Sequence, residues 1–331
     1  MKPDRETVRA ALDIARRAPS VHNTQPWRWG VADHSVHLFA DRSRQLAVID
    51  HDGRELAISC GAALHHARIA FRALGWRPTV HRLPNPADRD HLAAIELAPL
   101  SRIDRHVLSL VEASATRRTD RRPFLPATLS LPLLDQLMGA VRAEQVAITP
   151  LLDPARHRET MVALAHADSV ERANPMYQAE IAEWSGARIG AVRGVPARNI
   201  PAATRFRRGM PGRGFGFGEL ASPPIDDGAL LCVLATPTDA ALDWLRVGEA
   251  LSAFVLAAAR AGLATCPLSQ VTEKPLVRDV IRLSALDNAG QPQIVVRVGW
   301  PVTAEFPGAA APRRPLDDIL ADWPTERPGR S

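Results

Sequence analysis

Lysine is almost missing from this chain of 331 residues. It occurs only as Lys2 and Lys274, so 39 of the 41 basic residues are arginines. The formal net charge is only +5, and the short basic runs are not interleaved with the aromatic residues that single-strand binding uses. The isoelectric point of 9.8 therefore does not predict nucleic-acid binding. A small phosphorylated ligand needs only two or three arginines and is the more economical anionic partner.

Cysteine is also scarce, and long apolar runs are absent. Cys60, Cys232 and Cys266 are widely spaced, which fits neither a disulfide framework nor a metal-binding motif. We interpret them as small core residues. No apolar run is long enough to predict a membrane-spanning helix, and the charged N-terminus does not resemble a signal peptide. The sequence predicts a cytoplasmic protein with no membrane partner.

Apolar residues make up 46% of the chain, enough for one large domain or two ordinary ones, and they recur at helical and strand spacings. The predicted helices cover residues 5–18, 61–76, 104–116, 130–142, 154–173, 177–189 and 245–263. The predicted strands form a hairpin at 27–41 and lie at 77–84, 91–99, 147–153, 229–236 and 292–301.

Residues 186–228 differ from the rest because they hold nine of the 20 glycines and five prolines. No strand leads into the glycine-rich GRGFGFG run and no helical periodicity follows it. The run is therefore not a dinucleotide-binding fingerprint. We interpret residues 186–228 as a lid or cover loop, with a plain insertion as the alternative.

Two helical stretches resemble each other. GAALHHARIAFRALG runs from Gly61 to Gly75, and GEALSAFVLAAARAG runs from Gly248 to Gly262, an offset of 187 residues. Five of fifteen positions match, and a strand-like piece follows each stretch. The similarity predicts a duplicated unit. The alternative is a generic amphipathic helix between two glycines.

Three short stretches concentrate polar groups. PSVHNTQPW, residues 19–27, places five hydrogen-bonding side chains between two prolines. ATRRTDRRPF, residues 115–124, packs four arginines around Thr119, and Asp120 neutralises only one of them. Guanidinium groups this close repel one another and favour an anion between them, although a solvated charged turn is the alternative. PRRPLDDIL, residues 312–320, adds two more arginines near the C-terminus.

Together these stretches resemble motifs of the FMN-dependent nitroreductase family. The matching segments are PSVHNTQPW, RRTDRRPF, ARAGLATCPLSQ at 259–270, VVRVGWP at 295–301 and RRPLDDIL at 313–320. The first is the most specific. The resemblance implies an α+β, nitroreductase-like fold, with mixed, mainly antiparallel sheets flanked by helices. It also implies an internal duplication that resembles an intertwined homodimer.

The order of the motifs is permuted relative to ordinary family members, in which the arginine segment comes first. The chain is similar in this respect to the Acg-like subgroup, which implies a fused pseudo-dimer that keeps one of two flavin sites. The first half would be residues 1–110, carrying the PSVHNTQPW loop. The second half would be residues 111–331, with the lid-like insertion at about 186–228. A monomer is the oligomeric state this arrangement implies.

The resemblance also assigns roles to individual residues. Arg117, Thr119 and Arg121 match the family's Arg-x-Ser-x-Arg pattern, with threonine in place of serine, and would hold the phosphate and the ring edge. Either Arg313 or Arg314 would close the phosphate site, and the sequence does not distinguish them.

The opposite half of the chain would contribute Ser20 and Asn23 as hydrogen-bonding partners of FMN, while Gln25 braces their loop. Backbone of residues 267–269 would face the isoalloxazine ring. The full set of implied cofactor-binding residues is Ser20, Asn23, Gln25, Arg117, Arg118, Thr119, Arg121, Pro267, Leu268, Ser269, Arg313 and Arg314.

The resulting functional expectation is an FMN flavoprotein that oxidises NAD(P)H and reduces a small electron-poor acceptor, such as a nitroaromatic or a quinone. The alternative is a flavin-holding protein with little turnover, in which the 186–228 segment covers the flavin. A basic adaptor that binds no flavin is a third possibility. No side chain is expected to act as an acid or base, because the flavin carries the redox chemistry. We interpret His22, His65 and His66 as structural.

Overall fold

The computed structural model describes residues 2–185, 193–202, 213–215 and 218–321. The helices in these ranges are α1 (Arg5–Ala15), α2 (Arg54–Ala73), α3 (Arg105–Thr116), α4 (Leu131–Arg142), α5 (Pro154–Arg172), α6 (Pro175–Glu183), α7 (Ala241–Arg260), α8 (Gln270–Glu273), α9 (Pro275–Leu286) and α10 (Leu316–Ile319). The strands are β1 (Trp27–Val31), β2 (Ser35–Ala40), β3 (Trp76–Arg82), β4 (His91–Pro99), β5 (Ala147–Pro150), β6 (Leu230–Thr236), β7 (Ala264–Leu268), β8 (Gln291–Gly299) and β9 (Leu320–Ala321).

The strands form two sheets. The first has the order β3-β4-β2-β1-β9, and the second has the order β5-β6-β8-β7. All neighbouring strands are antiparallel except β1 and β9, which pair in parallel. The expected α+β fold with mixed, mainly antiparallel sheets is therefore confirmed.

Each sheet packs against its own helices. The first sheet shares a core with α1 and α2. The second sheet is covered on both faces: Ile294, Val296 and Val298 of β8 join the core with α4 and α7, whereas Val295 joins the core with α5 and α9. Because side chains alternate along a strand, this double burial requires the continuous apolar run that β8 shows in the sequence.

The two sheets have the same topology. In the first half the elements run α1-β1-β2-α2-β3-β4, and in the second half α4-β5-β6-α7-β7-β8, with further helices between them. Matched in this way, the strand orders β1-β2-β4-β3 and β5-β6-β8-β7 are identical. The two halves differ in their connections. Residues 32–34 join β1 to β2, whereas residues 151–229 separate β5 from β6.

Helices α2 and α7 cross where Gly61 meets Gly248. A Cβ atom on Gly61 would lie 2.0 Å from the carbonyl oxygen of Leu245, and one on Gly248 would lie 1.9 Å from that of Ile58. The two contacts are equivalent, because Ile58 and Gly61 each precede Leu245 and Gly248 by the 187 residues that separate the two similar stretches of the sequence. Close to the crossing, His65 Nδ1 and Ser252 Oγ are 2.8 Å apart. These glycines are therefore required by the close approach of two helix backbones.

Most predicted elements are present, with shifted ends. The helix predicted at 61–76 begins seven residues earlier, at Arg54, and the one at 245–263 begins at Ala241. The helix predicted at 177–189 covers Pro175–Glu183, and its last four predicted residues lie outside the described ones. Helix α9 was missed. In the described parts of residues 186–228, the only helical turn is the short 3-10 turn Ala197–Asn199, as expected for a loop.

The cysteines are buried and unpaired, which confirms their interpretation as core residues. Among the described residues, no helix combines the length and the apolar character that crossing a membrane requires.

Candidate functional site

The PSVHNTQPW loop is held in an unusual backbone conformation. After α1, residues 21–23 form a 3-10 turn, and His22, Asn23 and Gln25 have positive φ angles of 45°, 58° and 52°. Residues other than glycine adopt this left-handed region at a cost, so the surroundings must hold them there. Ser20 Oγ accepts a hydrogen bond from the Gln25 backbone N–H at 3.0 Å, which closes the loop.

Asn23 and Gln25 attach this loop to the C-terminal segment. Asn23 Nδ2 donates to the carbonyl oxygens of Gly194 at 3.1 Å and Pro312 at 3.0 Å, and its Oδ1 accepts from Arg313 Nη1 at 2.9 Å. Gln25 is fully buried, and its Oε1 accepts from the Arg314 backbone N–H at 2.8 Å. The placement of Gln25 is that of a brace, and it does not line a cavity.

The arginine segment follows α3 and lies beside the start of β7. The Asp120 backbone N–H donates to the Thr265 carbonyl oxygen at 3.0 Å, and Thr119 pairs with Thr265 in a single bridge. Asp120 also forms a buried fork with Arg122, in which Oδ2 lies 2.7 Å from Nη2. In the described part of the chain, no carboxylate forms an ion pair with Arg117, Arg118 or Arg121. Only Arg122 is neutralised, so the other three keep their charge available.

Two cavities adjoin at this point and share the wall residues Pro19, Ser20, Thr119 and Arg121. We call the first the basic cavity, because its wall is rich in arginines. Its other lining residues include Arg17, Asn23, Arg117, Arg118 and Arg313. We call the second the apolar cavity, after its mostly apolar wall. Its other lining residues include Ile58, Leu251, Pro267, Leu268 and Ser269.

The basic cavity holds buried positive charge without a matching anion. Arg117 is only 8% exposed, and its Nε has no hydrogen-bond partner. Burial, with the neighbouring Arg118 charge, lowers the pKa of Arg117 to about 10. Burial and the charges of Arg117 and Arg118 lower the pKa of Arg313 to about 9, and its Nε is also unpartnered. Such a cluster favours a bound anion, because a nearby negative charge stabilises the charged guanidinium groups that burial destabilises.

The structure separates the two C-terminal arginines. Arg313 lines the basic cavity, although its guanidinium also donates to the carbonyl oxygen of Arg17 at 3.0 Å. Arg314 points elsewhere: its Nη1 lies 3.2 Å from Asp41 Oδ2, and its Nη2 donates to the Asp318 carbonyl oxygen at 2.8 Å. Of the pair, only Arg313 is placed to contact a ligand in the basic cavity.

The apolar cavity lies between both halves of the chain. Pro267, Leu268 and Ser269 form one wall at the end of β7. Ile58 of α2 and Leu251 of α7 contribute from the helix crossing. Thr119 and Arg121 belong to the wall that it shares with the basic cavity. A flat, amphiphilic group that enters here would meet apolar side chains and a backbone edge.

Three described residues of the 186–228 segment line the apolar cavity: Pro201, Arg213 and Phe215. Arg213 forms a buried ion pair with Glu273 and donates to Ser269 Oγ at 3.2 Å. Phe215 packs edge-on against the His22 ring, with 5.3 Å between ring centroids. The Arg121 guanidinium lies 4.9 Å from the centre of the Phe215 ring. At these three residues the segment is therefore placed against the cavity, as a cover would be. Residues 186–192, 203–212 and 216–217 of it lie outside the described ones.

The sequence missed several residues of the site. Arg213, Phe215 and Glu55 line the apolar cavity, and so does His22, which we had interpreted as structural. Neither ring nitrogen of His22 has a hydrogen-bond partner among the described residues. Nothing in the sequence indicated the placement of Glu55, which lies before the start of the predicted helix at 61–76. For Arg213 and Phe215 the one signal was their place in the segment predicted to be a lid or cover loop.

Comparison with known proteins agrees with these motifs. The model of the nitroreductase family matches residues 1–48 and 115–300. The Mycobacterium tuberculosis protein named "Putative NAD(P)H nitroreductase Rv3131" is 43% identical over 334 residues, covering 98% of this chain and 93% of its own. The protein of the same organism named "Putative NAD(P)H nitroreductase acg" is 37% identical over 326 residues, covering 95% of each chain.

Among solved structures, the FMN-dependent nitroreductase NfnB from Mycobacterium smegmatis, in complex with NADPH, aligns with a TM-score of 0.41 and 19% identity. The alignment covers 67% of this chain and all of that one. The resemblance to the Acg-like proteins is confirmed by relatives that match along nearly the whole length. This chain belongs to the nitroreductase family.

Proposed function

We propose that this protein binds one FMN across the two adjoining cavities and acts as an NAD(P)H-dependent oxidoreductase that reduces a small electron-poor acceptor. One observation carries the proposal: a cavity with uncompensated arginines adjoins an apolar cavity and shares four wall residues with it. FMN has the matching combination of a phosphate and a flat ring. The names of the full-length relatives support the reductase activity.

The basic cavity fits the phosphate. Arg117 and Arg118 would bind it, with Arg313 closing the site, because a phosphate dianion is held best by charged donors. The unpartnered Nε atoms of Arg117 and Arg313 are donors that such a ligand would satisfy. Asn23 would act mainly by fixing Arg313, since its own amide is already bonded to Gly194 and to residues 312 and 313.

The apolar cavity fits the ring. Ser20, Thr119 and Arg121 would bind its polar edge, and the backbone of residues 267–269 would lie along it. When bound, FMN would supply hydride transfer from NAD(P)H to the acceptor, which the side chains of the site do not provide. The protein's contribution is to position the ring between apolar walls and to limit the access of water.

We further propose that the chain is a fused pseudo-dimer with a single flavin site. The shared strand order and the reciprocal glycine crossing support a duplicated unit. The single site follows from the connections. Residues 16–26, which carry Ser20 and Asn23, join α1 to β1, but only residues 143–146 join α4 to β5. This connection of the second half is too short to provide an equivalent loop, which supports a single site. All the residues proposed to hold FMN belong to one chain, which supports a monomer.

The test begins with the colour of the purified protein. We expect bound or bindable FMN, detected by absorbance and by quenching of flavin fluorescence on titration. Anaerobic mixing with excess NADPH should then bleach the flavin rapidly, and a nitroaromatic or quinone should restore its colour. Protein that neither contains nor binds FMN would contradict the proposal and would favour the basic adaptor.

A second candidate is a flavin-holding protein with little turnover. The contacts of Arg213 and Phe215 favour it, because they place part of the 186–228 segment against the cavity that a nicotinamide would have to enter. The same bleaching experiment separates the two functions. Slow bleaching that becomes fast after deletion of residues 205–218 would indicate a covered holder. Fast bleaching of the intact chain would indicate a reductase.

A further inference from the structure

Glu55 is an acidic side chain in the wall of the apolar cavity. It lies in the first turn of α2, one turn before Ile58 and Ser59, which line the same cavity. Its side chain is only 4% exposed. The cavity is also lined by Pro267, Leu268 and Ser269, so a carboxyl group faces the space next to the proposed ring position.

The carboxyl group of Glu55 has few partners. Its Oε1 lies 2.8 Å from Arg54 Nη2, but no well-aligned hydrogen bond reaches this oxygen in the described structure. Arg54 is shared, because its Nη1 donates to the Gln293 carbonyl oxygen at 2.8 Å. A poorly aligned ion pair with a shared arginine satisfies this buried oxygen only in part, so a ligand or a proton on the carboxyl group would complete its interactions.

Burial and the neighbouring carboxylates favour the protonated form of Glu55. Burial raises the pKa of Glu55 to about 8, and the carboxylates of Glu273 and Asp50 add to the shift. The guanidinium groups of Arg54 and Arg213 oppose it without cancelling it. Since the folded-state pKa is raised, Glu55 holds its proton below about pH 8 and releases it above. A general acid works best when its pKa lies close to the operating pH.

We propose that Glu55 donates the proton that completes reduction of the acceptor in the apolar cavity. This inference rests on the proposed function. Reduction of a quinone to a hydroquinone requires a hydride, supplied by the reduced flavin, and one further proton. The Glu55 O–H bond breaks as the O–H bond of the acceptor forms. Glu55 is left as a carboxylate and then takes a proton from solvent.

The other side chains of the cavity are poorer donors. His22 is buried, and burial together with the charges of Arg213 and Arg121 lowers its pKa well below its usual value, so it carries no extra proton at neutral pH. Ser59 and Thr119 have hydroxyl groups of far higher pKa. Among the described lining residues, Glu55 is the one carboxyl group.

The kinetic test follows reoxidation of the FMN-loaded, NADPH-reduced protein by p-benzoquinone in an anaerobic stopped-flow instrument, between about pH 6 and pH 10. In the unmodified protein the rate should fall above about pH 8. Glu55→Gln keeps the size but carries no transferable proton, so we expect a rate about 100-fold lower and no break near pH 8. Glu55→Asp should recover part of both the rate and the break.

The matched control is Glu144→Gln. Glu144 is also largely buried and bonded to an arginine, with Oε2 2.6 Å from Arg68 Nη1, but it lies outside both cavities. Its rate and pH profile should match the unmodified protein. A Glu55→Gln variant that binds FMN normally and keeps the unmodified rate and pH break would overturn the proposal.

A second measurement does not depend on turnover. Infrared difference spectra recorded across pH 8 should show the C=O stretch of protonated Glu55, which disappears as pH rises. Burial raises the pKa of Glu171 to about 7, so Glu171 contributes a band of its own, and the Glu55 band is the one that is missing in Glu55→Gln. Absence of that band at neutral pH would overturn the role of Glu55 while leaving FMN binding intact. Failure of the unmodified protein to bind FMN would instead overturn the proposed function itself, so the two failures are distinguishable.

Discussion

The two halves of this protein share a topology and differ in their connections. The same helices and strands appear in the same spatial order in both, and the halves meet at a close glycine crossing. The first half carries the PSVHNTQPW loop where the second has only residues 143–146. The second half carries residues 151–229 where the first has only residues 32–34. The comparison teaches that the elements common to both sheets build the core, while the two cavities draw on connections that differ between them.

The largest effect is expected at the crossing that joins the halves. Gly61→Ala and Gly248→Ala would each place a Cβ atom about 2 Å from a backbone oxygen, so α2 and α7 must separate. We expect each to lower the free energy of unfolding by about 3 kcal/mol. Urea unfolding followed by circular dichroism measures this change.

Gly139→Ala in α4 is the matched control, because nothing lies within 4 Å of its Cβ position. It should leave stability unchanged or raise it by up to about 1 kcal/mol, since alanine favours helix more than glycine does. Equal effects at Gly61 and Gly139 would contradict the requirement for a close backbone approach.

The next prediction tests whether residues of both halves contribute to one FMN site. Arg117→Ala removes a charged phosphate donor worth roughly 1.5–3 kcal/mol, so FMN binding should weaken by about one to two decades. Asn23→Ala should also weaken binding, because it releases Arg313. Fluorescence titration with FMN gives both constants, and exposed Arg102→Ala serves as a control without effect. A loss in only one of the two variants would contradict the shared site.

A smaller effect distinguishes the C-terminal arginines. Arg313→Gln should weaken FMN binding by about one decade, equivalent to about 1.4 kcal/mol, because Arg313 lines the basic cavity. Arg314→Gln removes contacts with Asp41 and with the Asp318 carbonyl, so it should lower the melting temperature with little effect on affinity. The opposite pattern in calorimetric titrations would reverse their assignment.

The smallest effect concerns the flavin-free protein. The lowered pKa values of Arg117 and Arg313 mean that folding disfavours their charged forms. Their contribution is therefore destabilising at neutral pH, and the destabilisation lessens as pH rises through about 9 to 10. Inorganic phosphate at about ten times its dissociation constant should stabilise the protein by about 1.4 kcal/mol, and Arg117→Met should abolish most of this gain. Differential scanning calorimetry with and without phosphate measures the stabilisation of the unmodified protein and of the variant. An equal stabilisation in the variant would contradict an anion site at Arg117.

The sequence predicted the parts of the site that lie within short motifs. Ser20, Thr119 and Arg121 belong to such motifs, and the structure brings them together on the shared wall of two cavities. Motif spacing does not reveal which arginines already form an ion pair within the protein. Arg122 is occupied by Asp120, although it is as basic in sequence as its neighbours.

Long-range placements escaped prediction for a related reason. Arg213 and Glu273 form a buried ion pair although sixty residues separate them, and the GRGFGFG run that contains Arg213 gives no sign of this pairing. The choice between Arg313 and Arg314 depended on which side of the tail faces the cavity. Helix starts were also placed too late, because Arg54 and Glu55 look like surface residues until their burial beside the cavity is known.

The tail of the chain has a consequence for how the site is made. Arg313 lines the basic cavity, and a few residues later β9 pairs with Trp29 and Gly30 of β1 in the first sheet. Arg313, which we propose closes the phosphate site, is thus synthesised nearly three hundred residues after Asn23 in the loop that it contacts. Since chains emerge from the ribosome N-terminus first, both halves can form their cores while the site is still open. Cofactor capture is therefore expected to be a late step, which follows completion of the chain.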